Sequence, residues 1–158
     1  LNDVNAFNLG NPLAGLTQNG MIFIQSDKTD SAEIWARIPH YAKKIIRSKN
    51  LRVLVLDTVR IAREVATSAD LIQRMQGIVL LGIFLRATPF REAAGTTDEE
   101  LFAGVEKSLR KYFGKRGERV VQDNLTAVKR GYNEVFEIPR EIMNGESVAV
   151  EEAATAQA

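Results

Sequence analysis

The chain has 158 residues, 45% apolar and 26% charged, with a formal net charge of +1, which suits one folded domain and creates no overall field toward nucleic acid or a lipid surface. It contains no cysteine and one histidine, His40, which excludes disulfides, thiolate-held zinc or iron–sulfur clusters, a cysteine nucleophile and a paired-histidine centre within one copy. The longest apolar run, Gly77–Leu85, lies between Arg74 and Arg86 and is too short for a membrane span, so the cytoplasm is the expected compartment.

In chain order, LNDVNAF (Leu1–Phe7) reads as the end of a strand already under way, and the chain is expected to be a fragment or a processed product. Asn11 and Pro12 offer a helix start that stops at once by Leu16. Asn19-Gly20 then precedes a short buried strand, Met21–Ser26. Asp30 and Glu33 have capping-box spacing and open a helix carrying Ile34, Trp35 and Ile38. Pro39 ends it and starts another helix, Tyr41–Ser48. Leu51–Asp57 is the clearest strand, nearly continuous in apolar residues, as in a parallel strand covered on both faces.

A helix from Val59 to Ala66 follows, then a long one over Ala69–Pro89 that is apolar on most sides past Met75 and is expected to be enclosed by protein. Gly77 and Gly82 lie on it; each costs about 1 kcal/mol relative to Ala, and close backbone packing would explain both. Thr97 and Glu100 cap a helix that runs to Phe113 and stops at Gly114. The last helix begins near Gly117, and Val121, Leu125, Val128, Tyr132 and Val135 form one stripe along it before Pro139. The order of elements predicts an α/β fold: an open, mostly parallel sheet with flanking helices and a C-terminal helical hairpin. Residues 1–139 are expected to form the domain, and 140–158, small and acidic, a linker or disordered tail.

Four features invite a functional reading. Asp57 ends the strongest strand, where open α/β sheets bind ligands, or else it caps the next helix. His40 has no carboxylate partner visible in sequence and reads as a surface or capping residue. Trp35, the single tryptophan, is either core or an interface anchor. Six cations, Lys107, Arg110, Lys111, Lys115, Arg116 and Arg119, gather around Gly114 and Gly117. They are either the solvated corner between two helices or a site for the phosphates of a large cofactor, an acidic partner protein or, least well supported, nucleic acid.

The segments NPLAGLTQNGMIFIQS, EIWARIP, IIRSKNLRVLVLDTVRIARE, RMQGIVLLGIFLRATPF and KYFGKRGERVVQDNLTAVKRGY, in that order, resemble the gamma domain of the 2-oxoacid:ferredoxin oxidoreductases over Leu1 to Pro139. The glycine-preceded strand, the Trp-bearing helix, the strand-to-helix junction and the basic GKRGERVV segment are moderately specific together. The resemblance implies an enzyme that cleaves a 2-oxoacid, pyruvate or 2-oxoglutarate, with thiamine diphosphate and magnesium. It makes acyl-CoA and CO2 and sends electrons through iron–sulfur clusters to ferredoxin. The gamma domain of that family carries neither the thiamine nor the clusters. It packs on the subunits or domains that do, and it is implicated in coenzyme A binding. No catalytic residue carries over, and the glycine-rich strand-to-helix segment with which that domain usually opens has no match here. Lys115, Arg116 and Arg119 are the residues expected to meet coenzyme A phosphates or an acidic partner; no metal, nucleic acid or membrane contact is expected of this chain. The other reading left open is a stand-alone α/β interaction or small-ligand-binding module without redox activity.

Overall fold

The computed structural model describes Leu13 and residues 17–145. The expected strand end at Leu1–Phe7 and most of the short turn at Asn11–Leu16 lie outside the described residues. The chain divides into two compact units, Leu1–Leu56 with Phe136–Ala158, and Asp57–Val135.

The first unit is built on a three-stranded sheet in the order β1 (Met21–Gln25), β2 (Arg52–Leu56), β3 (Phe136–Glu137). β1 runs parallel to β2 with Ile22 opposite Val53 and Ile24 opposite Val55. The crossover between them is helical, as a parallel pair requires. It consists of α1 (Ser31–Arg37) and α2 (His40–Ser48). Asp30 caps α1 by accepting from the Ala32 N–H at 3.0 Å, and Pro39 is the N-cap of α2. β3 adds a short antiparallel edge to β2, with Leu54 opposite Glu137, so the sheet is mixed. Arg52 fixes that edge by donating to both Glu137 carboxylate oxygens, at 2.9 and 3.2 Å. Ile22, Ile24, Ile34, Trp35, Ile38, Val53 and Val55 form one core cluster with Ile138 and Met143. Residues 140–145 are helical and Met143 is only 1% exposed, so ordered structure continues past the boundary expected at Pro139. The apolar side chain of Met143 is what holds that turn. The remainder of the expected tail, 146–158, lies outside the described residues.

The second unit is helical: α3 (Thr58–Val65), α4 (Ile72–Ala87), α5 (Phe90–Ala94), α6 (Asp98–Phe113) and α7 (Glu118–Glu134). α4 packs on α3 and α7, and α6 pairs with α7 as the expected hairpin. Val121, Leu125, Val128 and Tyr132 are all buried, as one stripe on a helix should be. Val135, expected to extend the stripe, is instead the C-cap of α7.

Glycine brings α4 and α7 together. A Cβ on Gly82 would fall on the Val128 carbonyl oxygen and lie 2.9 Å from the Tyr132 nitrogen. A Cβ on Gly131 would fall on the Val79 carbonyl oxygen. The two helices therefore meet backbone to backbone, each through a Val-x-x-Gly segment. Gly77 is different: a Cβ there would meet open space, which corrects the expectation that both glycines of α4 are packing sites. The expectation that α4 is enclosed also fails on one side, because Leu80, Leu81 and Phe84 are 40%, 41% and 57% exposed. The apolar residues of α4 surround it, but the neighbouring helices cover only the Met75–Val79–Gly82–Ile83 face.

Candidate functional site

The cationic corner is made by local rules at both helix ends. Thr97 caps α6, accepting from the Glu100 N–H at 3.2 Å, and Asp98, Glu99 and Glu100 fill its first turn. Arg110 and Lys111 occupy its last turn, where positive charge complements the helix dipole. The chain does not reverse at Gly114, which keeps a helical conformation and enters a 3₁₀ turn, Gly114–Arg116. The reversal comes at Gly117, at φ 108°, a region that a side chain disfavours. α7 begins at the next residue.

Within this corner the cations divide into two groups. Arg110 is neutralised: it donates to Glu118 at 2.5 Å and to Glu106 at 3.2 Å. Gln122 donates to the same two carboxylates at 3.0 and 2.9 Å. The Arg110 bond, with help from Gln122, holds the Glu118 carboxyl below the usual carboxylate range; Gln122 and then Arg110 do the same for Glu106. Arg119 is 83% exposed and only distantly paired with Asp123, at 3.9 Å. Arg116 lies 6.0 Å from the centre of the Phe113 ring, and neither it nor Lys107, Lys111 or Lys115 pairs with a carboxylate among the described residues. The result is an exposed ridge of positive charge whose members do not cancel locally.

Arg116 also stands at one end of a groove of about 800 Å3 between α4 and α6. Its walls are mostly apolar, including Leu81, Leu85, Leu101, Val105 and Phe113, and Phe90 lines it from α5. Arg74 also lines it, with its guanidinium 5.4 Å from the centre of the Phe113 ring. A smaller polar pocket of about 240 Å3 is bounded by Arg86, Arg91, Asp98 and Tyr132. There the Tyr132 hydroxyl donates to Asp98 at 2.7 Å. Burial, then the Asp98 bond, pushes the Tyr132 hydroxyl above its ordinary pKa.

The other sequence candidates resolve into structural roles. Asp57 is the N-cap of α3, with its carboxylate accepting from the Arg60 N–H at 3.1 Å. His40 is the exposed first residue of α2. Trp35 is fully buried in the core of the first unit, with the Lys43 ammonium 5.4 Å from its ring centre. Sequence reasoning missed the groove, α5 and the Tyr132–Asp98 pair. The apolar positions Ile78, Leu81 and Leu85 stand at the helical spacing that could have marked the groove wall.

Residues 3–134 match the pyruvate ferredoxin/flavodoxin oxidoreductase family. A pyruvate-flavodoxin oxidoreductase of Trichormus variabilis is 28% identical over 126 residues, covering 80% of this chain and 10% of that protein. A pyruvate:ferredoxin oxidoreductase of Moorella thermoacetica is 26% identical over 128 residues, covering 81% of this chain and 10% of the relative. A probable pyruvate-flavodoxin oxidoreductase of Escherichia coli is 23% identical over the same share of each. The chain thus spans about a tenth of the length of these curated relatives.

Proposed function

The chain belongs to the pyruvate ferredoxin/flavodoxin oxidoreductase family, and we propose that it serves there as a gamma-type portion that does no chemistry of its own. The enzyme it helps to build oxidatively decarboxylates a 2-oxoacid, pyruvate or 2-oxoglutarate, in the cytoplasm. Coenzyme A takes up the acyl group, CO2 leaves, and the electrons released pass to ferredoxin. The observation that carries this reading is the family match over residues 3–134 in a chain without cysteine. Lacking thiolates, these residues do not fit an iron–sulfur cluster. The magnesium of thiamine diphosphate is likewise assigned elsewhere, since the sequence holds no Gly-Asp-Gly segment with a downstream Asn. Both groups belong to other domains or subunits of the enzyme in this reading.

The part assigned to this chain is electrostatic. Lys115, Arg116 and Arg119 attract the phosphates of coenzyme A or an acidic ferredoxin. Exposed charges of this kind act on encounter rate and salt dependence more than on affinity. Charge reversal of Arg116 and Arg119 in the assembled oxidoreductase, with coenzyme A and ferredoxin titrated at low and moderate ionic strength, tests the assignment. Weaker apparent binding of one of them, most marked at low salt, is expected. Unchanged constants for both at both ionic strengths would leave the corner as a solvated helix turn. The isolated chain is expected to reduce no viologen dye with a 2-oxoacid; robust reduction would overturn the non-catalytic role.

A further inference from the structure

The open face of α4 has the composition of a covered one. Leu80, Leu81 and Phe84 stand three, four and seven positions beyond Gly77, and the four residues form one stripe. The opposite face is already occupied by α7, at Gly82 and Val79. Leu80, Leu81 and Phe84 nevertheless stand 40%, 41% and 57% in solvent, with Phe90 of α5 at 53%. Gly77 sits among them with nothing near its Cβ position. A glycine inside a helix weakens it, and nothing within this unit requires that one. Flanked by bulky apolar neighbours, it forms a dimple that admits the ridge or main chain of another surface.

We propose that the Gly77–Leu80–Leu81–Phe84 stripe is where this unit docks on the remainder of the oxidoreductase. The expected partner surface is an apolar ridge. The proposal rests on the reading of this chain as one portion of a larger enzyme. Family relatives are about ten times the length of the matched segment, so most of such an enzyme lies outside this chain and is available to cover the stripe. Of the two charged residues of α4, Arg74 stands beside the stripe and lines the groove, whereas Arg86 lies on the far side of the helix, with its guanidinium 5.1 Å from the Tyr132 ring centre.

The test uses the full oxidoreductase that contains this chain. A photo-crosslinking benzophenone analogue of phenylalanine replaces Phe84, and crosslinked peptides are mapped by mass spectrometry. Crosslinks from position 84 to sequence outside this chain are expected, and they should be lost when Gly77→Leu fills the dimple. Crosslinks only to this chain's own residues, or to the same stripe of a second copy, would overturn the proposal. So would a silent position 84 whose side chain is oxidised by hydroxyl radicals as fast as exposed Tyr112, 76% in solvent. If the chain proves not to be associated with any cluster-bearing polypeptide at all, the functional reading fails and the docking surface with it. Association with a stripe that is both silent and oxidised like exposed surface removes the docking surface alone.

Discussion

Replacing Gly82 by alanine adds one methyl group where the structure has no room for it. The new Cβ would overlap the Val128 carbonyl oxygen well inside contact distance, and it would lie 2.9 Å from the Tyr132 nitrogen, where ordinary contact begins near 3.4 Å. Both obstacles are helix backbone, so no side-chain rotation relieves the overlap, and α4 and α7 must move apart. Overpacking of a filled interior costs about 1–3 kcal/mol. A rigid obstacle puts this site at the upper end, and the gain in helix propensity of about 1 kcal/mol offsets part of it. The expected net loss is about 2 kcal/mol. Gly77→Ala, in the same helix but facing open space, should gain about 1 kcal/mol by propensity alone. The two variants should therefore differ by about 3 kcal/mol, on the order of a hundredfold in the unfolding equilibrium. Urea unfolding followed by far-UV circular dichroism measures both. Gly131→Ala should behave like Gly82→Ala, and the double variant should cost less than the sum, because helices already parted for one methyl accommodate the second. A Gly82→Ala protein as stable as Gly77→Ala would refute the backbone contact.

Two further outcomes follow from titrating groups. The folded-state pKa of Tyr132 is raised, by burial first and the Asp98 bond second, so its contribution is intact below the unfolded value of about 10 and is lost as pH rises through that value and the folded one. Tyr132→Phe should lose about 1 kcal/mol at neutral pH with the hydrogen bond and should show less destabilisation in alkaline denaturation. Glu118 and Glu106 are depressed in the folded chain. Their contribution is present above the unfolded value of about 4.3 and is lost as pH falls through the folded values. Glu118→Gln should therefore flatten the acid limb of a stability–pH profile, and an unchanged limb would rule out the Arg110 pairing as its source.

What the sequence disclosed was mostly what depends on neighbours within one helical turn. The Asp30 and Thr97 caps, the strand at β2 and the buried stripe of α7 each follow from spacing, and each is found. Gly77 and Gly82 look alike in sequence because composition does not say which face of an apolar helix has a neighbour; only the position of α7 distinguishes them. Gly131 drew no attention although it is the reciprocal half of the same contact. β3 is too short to show periodicity, and its pairing depends on a strand far away in the chain. At the candidate site, the cations were legible because they are adjacent in sequence. That Glu118 and Gln122 bind Arg110 and Glu106 across the turn, and that α4 supplies one wall of a groove, required the folded hairpin.

The antiparallel edge of the sheet has a kinetic consequence. β2 leaves the first unit at Leu56, and the chain returns only at Phe136 to pair with that same strand. Closing so long an excursion adds little to the free energy, because the entropic cost grows only as the logarithm of loop length, about 0.6 kcal/mol per doubling. Time is affected more, since contacts remote in sequence form late. The parallel β1–β2 pairing, joined by a short helical crossover, can therefore assemble first. The return segment, from β3 through Ile138 to the buried Met143, closes over it last. The same segment should be the first to open. The amide of Ile138, bonded to the Val53 carbonyl at 2.9 Å, should exchange with solvent hydrogen well before the amides in the β1–β2 ladder.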